Sequence, residues 1–150
     1  MEIEKFKRVG NIKFRTNYRE SMYWKLRDTD FSRLESSTAK KDEGGVFSSL
    51  NDIFSTAFAI GYHFDKQLPV TRMGKLTPVN HVNLVSFVDN RSEVADLMVI
   101  LILKRKPEIT NPKILWAEVE KYAEYGIKVL FNSIQDKKNI LEIDDIIEKV

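Results

Sequence analysis

The chain has no cysteine and only two histidines among its 150 residues. The missing thiols exclude disulfides, cysteine nucleophiles and cysteine-held zinc or iron–sulfur sites, and agree with a reducing compartment. Long apolar runs are also missing. The longest, Leu97-Met98-Val99-Ile100-Leu101-Ile102-Leu103, falls well short of the roughly 20 residues that a membrane span needs. The opening stretch, MEIEKFKRVG, is charged from its second residue and has no secretory apolar core. A soluble, cytoplasmic protein with no membrane partner is the expectation. The glycine pair Gly44-Gly45 is not followed by Lys-Ser or Lys-Thr, so a phosphate-cradling loop is not expected.

Net charge is small, +2, but it is unevenly spread. Residues 1–41 hold eleven Lys/Arg against six Asp/Glu, residues 42–106 hold seven of each, and residues 107–150 hold six against nine. A basic front and an acidic back matter more than the sum, because an anionic partner responds to local potential. The basic front is interleaved with Phe6, Phe14, Tyr18, Tyr23, Trp24 and Phe31. Cations that neutralise phosphates beside rings that stack on bases form one pattern of nucleic-acid binding. Lys5, Lys7, Arg8, Lys13, Arg15, Arg19, Lys25 and Arg27 would supply that charge, with Arg72 and Lys75 adding to it from the loop at 65–81. The competing reading is a helix packed on the core with its cations solvated, or docked on an acidic protein surface.

Helical periodicity dominates the rest. Thr16 or Asn17 can cap a helix through Leu26, with Tyr18, Met22 and Leu26 on one face. Residues 36–45, SSTAKKDEGG, read as a loop. Leu50, Ile53, Phe54, Ala57, Phe58 and Gly61 follow the i, i+3, i+4 pattern of a core helix, opened by Ser49 and Asp52. Residues 82–88 fit a short strand or an extended connector. Asn90 and Glu93 can cap a helix to Lys104 whose apolar face runs almost all round, which predicts a central position. Pro112 suits the first position of the longest helix, to about residue 134. Glu118, Glu120 and Glu124 would form its solvated face, and Gly126 a close crossing with the helix at 92–104. A last helix places Ile143, Ile146, Ile147 and Val150 on one side.

Catalytic constellations are thin. His63 and His81 lie near Asp65 and Asp89 in sequence, which would suit a small hydrolase or nuclease if the loops meet. Their spacing matches no metal motif, so neither a metal nor another cofactor is expected. Ser48, Ser49 and Ser55 lack the frame of a nucleophile elbow.

Three stretches resemble one group of proteins. In LNDIFSTAFAIGYHFDKQLPV these are Asp52-Ile53-Phe54, Ala57, Ala59, Gly61-Tyr62 and Pro69. In VEKYAEYGIKVL they are Tyr122-Ala123, Gly126-Ile127 and Leu130, and the DDIIEKV stretch is compatible with the group's end. The pattern is similar to small accessory proteins of DNA phosphorothioation (Dnd-type) modification and restriction systems. It departs from them in its longer front, the 36–45 loop and Phe58. The resemblance implies bacterial, antiviral defence against foreign DNA, in a component without a transferable catalytic residue.

The expectation is a mainly α chain, a single domain of about five helices with a short strand or hairpin near 82–88. It would be a non-enzymatic adaptor that binds other proteins of a defence system, and DNA through its basic N-terminal face. A self-associating module, with the apolar width of residues 94–103 completed by a second chain, is the further alternative.

Overall fold

The computed structural model describes residues 3–10, 12–17, 50–70 and 79–136, apart from the side chains of 79–81 and 134–136. Its elements are α1 (Ile3–Lys7), β1 (Lys13–Thr16), α2 (Leu50–Phe64), β2 (Val79–Asn83), α3 (Leu84–Asn90), α4 (Ser92–Arg105) and α5 (Pro112–Asp136). The fold is mainly helical, with one two-stranded antiparallel sheet among the described residues. The expected helices at 17–26 and 142–150, the 36–45 loop, and Ser48 and Ser49 lie outside them.

Three of the five described helices follow the expected periodicities. α2 buries Ile53, Phe54, Ala57, Phe58, Ile60 and Gly61, the face drawn by its apolar spacing. α5 begins at Pro112, where the lost N–H has no intrahelical partner to miss, and runs 25 residues. The remaining two helices, α1 and α3, were not foreseen. The segment at 82–88 divides: β2 ends at Asn83, whose side chain accepts from the Val85 and Ser86 amides and so starts α3. Asn90 is then the last residue of α3, not the cap of α4. Arg91 serves both helices: its N–H closes α3 on the Phe87 carbonyl at 2.7 Å, and its own carbonyl receives the Ala95 N–H at 2.9 Å.

Residues 13–16 form a strand rather than a helix entry. Phe14 and Thr16 point inward while Lys13 and Arg15 point outward, an alternation too short to stand out in sequence. β1 pairs Lys13 with Asn83 and Thr16 with Val79, with a register shift between Phe14 and Arg15.

The core gathers on aromatic rings from four elements. Phe14 of β1 stacks on Phe54 of α2 at 4.5 Å and meets Trp116 of α5 edge-on at 5.9 Å. Phe87 of α3 closes edge-on against Phe54 at 5.6 Å. All four rings are at most 1% exposed, and each contributes about 1.5–3 kcal/mol of burial before entropy. The Trp116 indole N–H donates to the Phe6 carbonyl, tying α1 to the long helix.

The main helix pair is α2 with α5, not α4 with α5 as expected. Two glycines explain the choice. A Cβ on Gly61 would lie 2.0 Å from the Tyr122 carbonyl oxygen, and one on Gly126 would lie 1.9 Å from that of Ala57. These reciprocal contacts show that the helices run antiparallel with their backbones touching. α4 instead lies on another side of α2 and runs parallel to it, as the Asp52–Arg91 and Tyr62–Leu101 contacts show. It is not central: Leu97 is 52% exposed and Ile100 40%.

Candidate functional site

The acids expected on the solvated face of α5 are in fact covered. Glu118 and Glu124 are buried and Glu120 is half-buried. Two extended segments lie across that side of the helix and aim donors at it. The Arg15 amide donates to Glu120 at 2.9 Å, while the Thr16 hydroxyl at 2.6 Å and the Asn17 amide at 2.8 Å donate to Glu124. From the other segment, the Leu68 amide and the Gln67 side chain donate to the carbonyls of Lys121 and Glu118. The Asn17 side chain then bonds the Pro69 carbonyl and links the two segments.

The acids differ in the direction in which their surroundings shift their proton affinity. Burial pushes Glu124 and Glu120 above the usual carboxylate range, against the lowering influence of their donors. Burial acts on Glu118 in the same sense, but the Lys106 and Lys121 ammoniums outweigh it and hold that carboxyl below the usual range. Glu120 and Glu124 thus clamp α5 to the N-terminal strand, whereas Glu118 ties α5 to Lys106 at the end of α4; none of the three lines either cleft described below.

At the C-terminal end of α2, Asp65 adopts φ +52° and turns its carboxylate back. It accepts from the Tyr122 hydroxyl at 2.7 Å and from Arg105 at 3.4 Å. The Arg105 guanidinium lies 3.4 Å over the Tyr62 ring and donates to the Tyr62 carbonyl at 2.6 Å. Asp65 therefore satisfies a buried tyrosine. His63 is exposed and its ring meets Phe64 edge-on at 4.7 Å. The His81 side chain lies outside the described residues. No group of three metal-ligating side chains occurs among the described residues. Ser55 turns its hydroxyl onto the Asn51 carbonyl at 2.8 Å.

The basic front separates into two kinds of residue. Lys7 is 8% exposed, and its ammonium contacts Asp96 at 2.8 Å and Ser92 at 2.9 Å. The hydrogen bond to Asp96 raises its pKa despite the opposing effect of burial. Lys7 is thus an internal tie between α1 and α4. Arg8 is mainly solvent-facing and paired with Glu4 of α1 at 3.1 Å, and Lys5 lies 5.2 Å from the Phe6 ring. Lys13 and Arg15 are exposed on the outer face of β1. Arg19, Lys25, Arg27, Arg72 and Lys75 lie outside the described residues.

Two clefts remain. One, of about 470 Å³, opens between α1 and α3 with Glu4, Lys7, Arg8 and Asp89 on its walls, so it carries both signs of charge. The other, of about 370 Å³, is an apolar groove between α2 and α4, lined by Phe58, Tyr62, Val94, Leu97 and Leu101, with His63 and Arg105 at one end. Sequence reading had placed these α4 side chains in the core. The small or polar residues Ser55, Ala59 and His63, spaced i, i+4, i+8 on α2, were the available signal that this side is not fully covered.

Comparison with protein-family models, with curated proteins and with solved structures returns no match. Among the described residues no helix is long and apolar enough to cross a membrane.

Proposed function

We propose that this protein is a non-enzymatic adaptor of a bacterial DNA-modification or restriction system, which binds protein partners and holds nucleic acid on its basic N-terminal face. The observation that supports this reading best is the strand β1. It turns Phe14 and Thr16 into the core and so aims Lys13 and Arg15 outward from a backbone clamped to Glu120 and Glu124. Cations on a rigid strand lose less freedom on meeting phosphates than cations on a mobile loop. Arg8 is exposed just past the end of the preceding helix.

The test has two arms. Titration of the full chain with short duplex DNA, single-stranded DNA and RNA at low salt should show binding that weakens steeply as salt rises. Lys13→Glu together with Arg15→Glu should lower the salt slope by about two phosphate contacts. Absence of binding to all three probes removes nucleic acid from the proposal. Capture of tagged protein from its native host should bring down components of DNA modification or restriction, and their absence refutes the adaptor role.

A further inference from the structure

We propose that the solvent-facing arc of α5 extends the basic site of β1 and seats the phosphate backbone of duplex DNA, an inference that rests on the nucleic-acid reading above. Between Pro112 and Ser133 the helix carries three lysines and three glutamates, so by sequence this length of it is neutral. Packing separates the two signs. Glu118 and Glu124 are buried and Glu120 is half-buried, each held by donors. Lys113 and Lys128 are exposed, and the Lys121 side chain is 40% exposed. At about 3.6 residues per turn the three lysines fall within about 80° of one another and span about 22 Å of helix.

Both margins of this arc add cations. On one side β1 runs parallel to α5, since the Arg15 and Asn17 amides reach Glu120 and Glu124 in turn. Arg15 therefore stands beside the arc, and its charge acts on Glu120. Lys13, on the same outward face of the strand, stands about 7 Å nearer the Pro112 end. On the other side Lys106 meets Glu118, and the Lys66 ammonium lies 5.7 Å over the Tyr125 ring. Exposed Glu108 acts on Lys106 and weakens that margin. Lys113 and Lys128 form no ion pair among the described residues, so their charges are left for a ligand.

The absence of open rings selects the ligand. Proteins that hold unpaired strands offer aromatic side chains on which successive bases stack. Among the described residues, Phe6, Phe14 and Trp116 are at most 4% exposed, and Tyr125 is half-buried beneath Lys66. Charge alone remains on this surface. A duplex presents the denser array, one phosphate for about every 1.7 Å of its axis. The lysine row of about 22 Å faces about six phosphates of one strand. It is carried on a helix whose backbone is locked against α2 at Gly126, so its spacing is fixed before DNA arrives.

The test is titration of the full chain with a labelled duplex of about 20 base pairs, and with its single strand, across a salt series. The duplex should bind more tightly. Lys113→Gln with Lys128→Gln should weaken duplex binding at least about tenfold at low salt and lower the salt slope by about two phosphate contacts. Lys113→Arg with Lys128→Arg should keep both, because the charge is retained. Thermal melts of these variants should match the parent, since both side chains are exposed. Amine labelling read by mass spectrometry should show the duplex protecting Lys113 and Lys128. Suppose that Lys13→Glu with Arg15→Glu weakens binding while the α5 glutamine pair does not, or that DNA leaves labelling of Lys113 and Lys128 unchanged. Either result overturns the α5 site and leaves the β1 reading standing. Tighter binding to the single strand overturns the choice of duplex. No binding to either probe overturns the site together with the reading on which it rests.

Discussion

Replacing Gly126 by alanine sets two general tendencies against each other. In an isolated helix the change is favourable by about 0.8–1 kcal/mol, since glycine is a poor helix former. Here the new methyl would sit 1.9 Å from the Ala57 carbonyl oxygen, 2.5 Å from its carbon and 2.5 Å from its Cα. All three are backbone atoms of α2, so no rotamer change relieves the overlap. Reaching an ordinary contact of about 3.4 Å requires the helices to part by more than an ångström, which forfeits about half or more of each contact well along the seam. Overpacking of this kind costs about 1–3 kcal/mol, and the loosened Phe58–Tyr122 contact, edge-on at 6.0 Å, adds to it. The net expectation is destabilisation by about 1–3 kcal/mol. Gly61→Ala should behave alike, because its methyl would meet the Tyr122 carbonyl oxygen at 2.0 Å. The double variant should cost less than the sum, since helices already parted by one methyl admit the second more cheaply. Urea denaturation followed by circular dichroism measures all three. A single variant as stable as the parent, or strictly additive losses, would refute the reciprocal close crossing.

Further expectations concern the clamp and the N-terminal tie. Glu124 and Glu120 have pKa values raised by burial, so the native state holds their protons more tightly than the unfolded chain. They withdraw stability as pH rises from the ordinary carboxylate value through their raised values, whereas Glu118, with its lowered pKa, contributes stability above the ordinary value that is lost as pH falls through its lowered one. Glu124→Gln keeps an oxygen for the Thr16 hydroxyl but removes one of the two raised groups. Thermal melts between about pH 4 and pH 8 should show the variant gaining on the parent as pH rises, and a difference independent of pH would contradict this. Trp116→Phe leaves the Phe6 carbonyl without its buried donor and opens a small void, an expected loss of about 2–4 kcal/mol in denaturant titrations, with faster amide exchange in α1. Gly10, at φ +87° with open space around its α-carbon, should tolerate alanine sterically yet lose about 1 kcal/mol from backbone strain, measurable in the same titrations.

Sequence alone supported the helices at 50–64, 92–105 and 112–136, because their apolar residues recur at intervals that depend only on neighbours three or four positions away. It also marked Gly126 as a place of close approach, though to the helix at 92–104, and placed Gly61 on the apolar face of its own helix. It did not say that these two glycines face each other. The partner of α5 was decided by the depth of that contact, which places α2 against it and leaves α4 at the edge with Leu97 in solvent. The burial of Glu118 and Glu124 was equally hidden. A glutamate on a helix reads as solvated until Thr16 and Asn17, 108 and 107 positions away, bring a hydroxyl and an amide to meet Glu124. Lys7 illustrates the same limit within the basic front, since its charge is visible in sequence but the Asp96 that claims it is on another helix. Periodicity is written into consecutive residues. The neighbours that decide whether a charge is a binding group or an internal tie arrive from elsewhere in the chain, and only packing brings them there.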